Sequence, residues 1–456
     1  MRDVGEVLLV STYELGHQPQ GIASPAAFLA RAGFRPASLD LAVEPLDEAR
    51  VRRARLVAIS VPMHTALRLG LDAAARIRAL QPGAILAFHG TYAPLHAPLL
   101  LEAGASAVLG GECEEELVAL AGAAERGEDL SRFVQRGGGE ASLGRLDFPV
   151  PRRDGLPPPA RYARLREADG RERLAGYAEA TRGCLHRCRH CPIPAVYGGR
   201  FLAIPTDVVL ADVEQQVAAG ITHVTFGDPD FLNGPTHALR LCRELHRRFP
   251  ALTFDFTAKV EHLVRDATHL PELVACGAVF AVSAVESLSD RVLGKLEKGH
   301  VREDVFRAFA ACDRAGLPLR PTLVPFTPWE TLEGYLDLVE TFEERGWIGR
   351  IDPVQFSLRL LVPPGSLLVG DPDLPLEGLD AAALTWRWRH PDRRMDDLQT
   401  RVAALVDAAA TRGEDPAATV DAVKALALAA AGRAHSHMAR PFSTAGTPRL
   451  TENWFC

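Results

Sequence analysis

Residues 180–199 read ATRGCLHRCRHCPIPAVYGG and set Cys184, Cys188 and Cys191 within eight residues of one another. The 456-residue chain has only eight cysteines, and Cys113, Cys242, Cys276, Cys312 and Cys456 are scattered. That distribution does not resemble the paired framework of a secreted domain; in a reducing compartment a compact cluster more often binds metal. A closed zinc site takes four thiolate or imidazole ligands, usually as two separated pairs. Here there is one triplet, spaced C-x3-C-x2-C. Three cysteinates on a four-iron cubane leave one iron without a protein ligand, and an open iron can chelate a substrate or cofactor. The alternative is a zinc site completed by His186 or His190.

Outward from the triplet, short apolar runs alternate with helical stretches. Downstream, GYAEATRG, HVTFGDP, LTFDFTAKV, AVFAVSAVES, PLRPTLVPF and DPVQFSLRLL read as six strands, with helices such as DVVLADVEQQVAAG between them. This order predicts a partial (β/α)6 barrel of the TIM type, where chemistry gathers at the C-terminal ends of the strands. The triplet follows the first of them. Upstream, residues 6–11, 56–61, 85–90 and 107–111 are apolar runs of the kind buried in a parallel sheet, which predicts a doubly wound, Rossmann-like α/β domain. The expected organisation is an α/β domain over 1–130, a glycine- and proline-rich linker over 131–174, the barrel over 175–370 and an alanine-rich helical region over 371–456.

A formal net charge of −7 argues against a nucleic-acid surface, which normally leaves a basic footprint. No run of about 18 apolar residues is present, and MRDVGEVLLVST passes into a strand rather than a signal peptide. The expectation is a cytoplasmic protein without nucleic-acid or membrane partners.

GCLHRCRHCPIP resembles the signature of the radical S-adenosylmethionine (SAM) superfamily. The resemblance implies a [4Fe-4S] cluster held by Cys184, Cys188 and Cys191, with SAM bound to the open iron through its amino and carboxylate groups. It also implies cleavage of the sulfonium to a 5′-deoxyadenosyl radical, an electron donor such as flavodoxin or ferredoxin, and a small-molecule substrate. FGDPDFLNG (226–234) stands where the family holds the SAM amino group, with Gly-Asp-Pro in place of the usual Gly-Gly-Glu; that role is carried to Asp228. SAVESLSDRVLGKLEKGH (283–300) is similar to the fourth-strand segment that approaches the ribose and carboxylate, which assigns Glu286 and Ser287 to cofactor binding. Arg320 is expected to meet the SAM carboxylate or a substrate anion. A plainer reading makes Asp228 and Glu286 strand-end caps, Cys242, Cys276 and Cys312 small core residues, and Cys113 inert.

The N-terminal region resembles the cobalamin-binding domain that precedes the barrel in one large subclass. Where cobalt-ligating domains often carry Asp-x-His-x-x-Gly, this chain has Ser11-Thr12-Tyr13-Glu14-Leu15-Gly16, so the glycine is kept and the imidazole is missing. Either cobalamin binds without a lower histidine or the domain keeps the fold alone. TPRLTENWFC resembles tails ending in Cys-Cys-Ala-Glu-Pro or its selenocysteine form, with Cys456 as a soft catalytic thiol and a UGA codon expected after it. The favoured activity is methyl transfer or carbon–heteroatom bond formation on a small molecule. The alternatives are aminocarboxypropyl transfer from SAM to a soft arsenic or selenium acceptor, and a non-enzymatic iron–sulfur or zinc protein.

Overall fold

In the computed structural model, which describes residues 1–135, 146–434 and 447–452, two mainly parallel sheets dominate. The first contains β1 (Val7–Ser11), β2 (Ala37–Asp40), β3 (Leu56–Ser60), β4 (Ile85–His89) and β5 (Ala107–Leu109), ordered β2-β1-β3-β4-β5 with every pairing parallel. β1 and β3 are buried at every position. Helices cover both faces: Leu8 and Val10 join one apolar cluster with Leu67 and Ile77, whereas Val7 and Leu9 join another with Ile22 and Leu117. Each strand must therefore be apolar on both sides. β2 was not anticipated, because ASLD at the sheet edge lacks a continuous apolar run.

The second sheet is built from β6 (Arg164–Arg166), β7 (Glu172–Ala178), β10 (His223–Phe226), β11 (Thr253–Thr257), β12 (Ala278–Glu286), β13 (Leu319–Leu323) and β16 (Arg449–Leu450), ordered β13-β12-β11-β10-β7-β6-β16. Between β7 and β10 lies a small antiparallel pair, β8 (Thr181–Gly183) with β9 (Phe201–Ala203). A second hairpin, β14 (Leu376–Asp380) with β15 (Thr385–Trp388), precedes the last helices. Pairings among β7, β10, β11, β12 and β13 are parallel, while β6 and β16 run antiparallel to their neighbours. This is the expected half-barrel, with its sixth strand reduced to a bridge. DPVQFSLRLL forms a 3-10 turn over Pro353–Ser357 and pairs only through Phe326 and Arg359. Asp352 caps Val354 N, and Pro353 has no N–H to give a ladder, so the segment starts as a turn.

Helices lie on the outer face of this sheet, where Val224, Phe226, Phe254 and Phe256 join the main core. The C-terminal helices Arg393–Arg412 and Pro416–Ala430 add Met395, Leu398, Val402, Val420 and Val423 to that core. Cys242, Cys276 and Cys312 lie there as well, as expected of small core residues. Part of the expected linker is tied to both sheets. Buried Arg153 donates to Asp212 at 2.6 and 2.7 Å, to Gln20 at 2.9 Å and to the Tyr177 carbonyl at 2.8 Å; Tyr162 donates to Asp40 at 2.8 Å.

Candidate active site

The cysteine loop begins at Gly183, whose φ is +77° and whose hypothetical Cβ would sit 2.4 Å from the Arg200 carbonyl and 2.6 Å from the Tyr197 ring. Only glycine fits such a turn. The loop ends at the short helix Ile193–Tyr197. Cys184 and Cys188 are buried and Cys191 is partly so. The Cys191 N–H donates to the Cys188 carbonyl at 3.1 Å, closing the last turn. Asn233 accepts from the Leu185 N–H at 3.3 Å and lies 3.9 Å from the Cys184 sulfur. Arg189 fastens the loop's outer side, donating its backbone N–H to Leu296 at 2.9 Å and its guanidinium to Asp371 at 2.6 Å.

The three thiols lie close enough to act on one another. Burial pushes the Cys184 thiol up, and Asp230 and Cys188 add to the rise; burial pushes Cys191 up to about 12, with Cys188 and Cys184 adding. Lys298 supplies the opposing charge. Burial alone would lower its pKa, but Glu286, Cys188 and Cys191 together raise it. The ammonium donates to Glu286 Oε1 at 3.1 Å, and His190 Nε2 meets the same oxygen at 3.1 Å. Burial would raise the Glu286 pKa, yet Lys298 and His190 outweigh it and hold the carboxyl down at about 2. Backbone geometry aims this carboxylate: Glu286 has φ +65°, and the β12–β13 register shifts between Ala284 and Glu286. A bulge with a left-handed residue at a strand's C-terminal end is a common way to re-aim a side chain.

The other expected residues divide. Asp228 is 1 % exposed, and both its oxygens are occupied, one by the Ala180 N–H at 3.0 Å and the other by the Thr181 hydroxyl at 2.5 Å. It braces the entry to the cysteine loop; burial raises its pKa to about 7 despite those bonds. Ser287 is turned inward, donating to Glu330 at 2.9 Å and accepting from the Ser289 N–H at 2.9 Å. Arg320 is not brought to the triplet. It pairs with Val282 in the ladder, four residues before Glu286, about 13 Å along the strand. Cys456 lies outside the described residues. Lys298 and His190 complete the Glu286 group. His190 had entered only as a zinc alternative, and Lys298 carried no signal beyond its place in EKGH.

A cavity lies between the C-terminal ends of the two sheets. Ser60, His89 and Cys113 line it from the first, Tyr177 from the second, and Thr181 and Arg182 from β8; Gly183 and Ile193, at either end of the cysteine loop, also reach it. Arg182 ties the two walls together, donating to Glu114 at 2.6 Å, Glu112 at 3.1 Å, Glu179 at 2.8 Å and Ser24 at 3.2 Å. Burial opposes its charge, but those carboxylates raise its pKa well above the usual range. In the loop after β1, Tyr13 donates to Glu452 at 3.0 Å, and His17 packs on Tyr177 with ring centroids 4.9 Å apart. Neither residue lines the cavity; the imidazole that does is His89, with Cys113 Sγ 3.7 Å from its Nδ1.

Residues 179–339 match the family described as the radical SAM superfamily. Those residues therefore form a radical SAM domain, and the chain is an enzyme. Among curated proteins no sequence matches it. The radical SAM methyltransferase TsrM from Kitasatospora setae, solved with cobalamin and a [4Fe-4S] cluster, is similar with a TM-score of 0.61 and 21 % identity, covering 74 % of this chain and 72 % of that one. The cobalamin-dependent radical SAM enzyme OxsB, solved with aqua-cobalamin, is similar with a TM-score of 0.70 and 15 % identity, covering 88 % of this chain and 67 % of that one. At these identities the likeness is one of fold, and it extends across the N-terminal sheet as well as the barrel. No helix among the described residues is long and apolar enough to cross a membrane.

Proposed function

We propose that Cys184, Cys188 and Cys191 hold a [4Fe-4S] cluster whose fourth iron receives SAM, and that the enzyme carries out methyl transfer or carbon–heteroatom bond formation on a small molecule. The observation that carries this reading is the crowding of three thiols on one loop beyond the C-terminal end of β7, with Lys298 beside Cys188 and Cys191. Three soft sulfur donors with a cation beside them suit an iron–sulfur cluster bearing net negative charge. A zinc site completed by His190 is disfavoured, because that imidazole is engaged by Glu286. His186 faces His262 at 3.1 Å and is likewise engaged. When bound, cluster and SAM together supply a carbon radical through reductive cleavage of the sulfonium.

The chain's own groups have distinct tasks. Lys298 and His190 keep Glu286 ionised, so it offers a fixed acceptor for a hydroxyl or ammonium donor on the cofactor side. Asp228 and Asn233 hold the two ends of the loop's first turn. Arg182 lines the cavity between the sheets and holds its two walls together. The crevice beyond β3, β4 and β5 is where a doubly wound sheet binds its ligand, and cobalamin is the ligand that TsrM and OxsB carry. Ser60, His89 and Gly111 would face it here. Tyr13 stands where a cobalt-ligating histidine would be, so cobalamin would bind without a lower ligand from that loop.

Anaerobic reconstitution with iron and sulfide, followed by dithionite and SAM, tests the reading. Formation of 5′-deoxyadenosine or of S-adenosylhomocysteine supports it, and dependence of either on added cobalamin assigns the N-terminal cofactor. Methylthioadenosine would point instead to aminocarboxypropyl transfer. Bound zinc with no iron would overturn the cluster assignment.

A further inference from the structure

The seven-stranded sheet has two edges, β13 and β16, and its curl brings them to opposite sides of one cavity, lined by Arg320 and Thr322 from β13 and by Arg449 from β16. Arg320 and Arg449 also line the adjoining cavity, which reaches the N-terminus of helix Pro416–Ala430. Among the described residues neither guanidinium has a hydrogen-bond or ion-pair partner. The carboxylates nearby are engaged elsewhere. Asp352 caps Val354 N at 3.5 Å, Glu452 accepts from the Tyr13 hydroxyl at 3.0 Å, and Asp415 caps Ala417 and Ala418 at 2.9 and 3.2 Å. Deeper in the barrel, Asp255 accepts from His223 at 2.8 Å and Thr225 at 2.7 Å. Glu167 and Arg166, on the outer wall, pair with Arg173 at 3.1 Å and Glu172 at 2.6 Å.

The two cations act on each other. Burial first, and the Arg449 charge after it, lower the Arg320 pKa to about 10 against weaker help from Asp352 and Asp255. Like charges facing each other across a partly dry seam repel unless an anion lies between them.

We propose that the seam between β13 and β16 binds a small oxyanion, a phosphate or a carboxylate group, between the guanidinium groups of Arg320 and Arg449. Planar guanidinium forks suit both oxyanions. The site is separate from the cysteine loop, at the other end of β12 and β13, and stands whether or not the proposed chemistry is right. Its occupant would clamp the final described strand to the barrel and relieve the repulsion across the seam.

The test is calorimetric titration of the full chain with inorganic phosphate and, separately, with acetate, at constant ionic strength in chloride. One phosphate or acetate per chain is expected, whichever binds tighter identifying the source. Arg320→Gln and Arg449→Gln should each weaken it about tenfold or more, the loss of one charged hydrogen-bonding pair. Asp352→Asn should tighten it by removing a neighbouring negative charge. Arg243→Gln, on the outer surface, should leave it unchanged. If Arg320→Gln fails to fold, Arg449→Gln on the edge strand still decides. Binding that is undetectable in the wild-type chain, or equal in wild type and Arg449→Gln, overturns the proposal.

Discussion

The two sheets of this protein share a parallel strand direction and use their faces in opposite ways. In the N-terminal sheet both faces are covered, so Leu8 and Val10 enter one apolar cluster while Val7 and Leu9 enter another, and the interiors of β1, β3 and β4 hold no polar side chain. In the barrel sheet only the outer face is packed by helices. Val224, Phe226, Phe254 and Phe256 point outward to the core, while Thr225 and Asp255 turn inward and bond to each other at 2.7 Å. Doubly covered strands confine their chemistry to the loops; a half-barrel can also place it along the strands. That difference explains why the N-terminal sheet lines the shared cavity only through residues at and beyond its strand ends, such as Ser60, His89 and Gly111.

The largest effect is expected at the cysteine loop. Cys184→Ala, Cys188→Ala or Cys191→Ala should each abolish the cluster's absorbance and all SAM cleavage while leaving the far-ultraviolet circular dichroism of both sheets intact. Loss of folding instead would make the thiols part of the core rather than of the site.

Lys298→Met acts next. It strands the buried Glu286 carboxylate, which should cost about 3–5 kcal/mol of stability and lower SAM cleavage roughly 10–100-fold, as removal of a partner to a site group commonly does. The pH dependence carries a sign. Because the folded Glu286 pKa of about 2 lies below its ordinary 4.5, its stabilising contribution is complete above about pH 4.5 and fades as pH falls toward 2. Chemical denaturation between pH 5 and 3 should show this acid limb in the wild type and a shallower one in Lys298→Met.

Arg182→Met removes the cation shared by Glu112, Glu114 and Glu179 and should cost about 3 kcal/mol, seen as a lower denaturation midpoint. Its sharper consequence is separation of the sheets: a second unfolding transition should emerge, because the N-terminal sheet has its own apolar clusters.

An effect confined to a pH window belongs to Glu14, in the loop after β1. Burial raises its pKa to about 8, against hydrogen bonds from Gly21. A carboxyl raised in the folded state favours folding fully below pH 4.5 and progressively less as pH rises toward 8. Glu14→Gln should therefore flatten the decline of stability between pH 5 and 8 while leaving the acid limb from Glu286 in place.

Much of this arrangement was legible in the residues. Runs such as VLLVS and LVAIS read as strands buried on both faces, and the cysteine spacing identified the loop that the family match then covered. Other features were not legible, for identifiable reasons. ASLD pairs because β1 offers it an edge, not because its own residues demand a strand. DPVQFSLRLL has a strand's composition, but Asp352 and Pro353 start a 3-10 turn first. Asp228 carries an expected cofactor role, but its bonds from Ala180 and Thr181 could not be read from the chain, because their proximity depends on β7 and β10 pairing.

By itself, then, the sequence determined which segments are strands of buried parallel sheets, and that three soft donors sit on one loop, because apolar patterning and ligand spacing are local properties. Only the tertiary structure decided which charges meet. Lys298 reaches Glu286 through a bulge and a left-handed residue, and Arg182 reaches Glu114 across 68 positions. Arg320 faces Arg449 because a curled sheet brings its edges to one seam. Electrostatic energy depends on distance in space and on burial, and neither can be read from order along a chain.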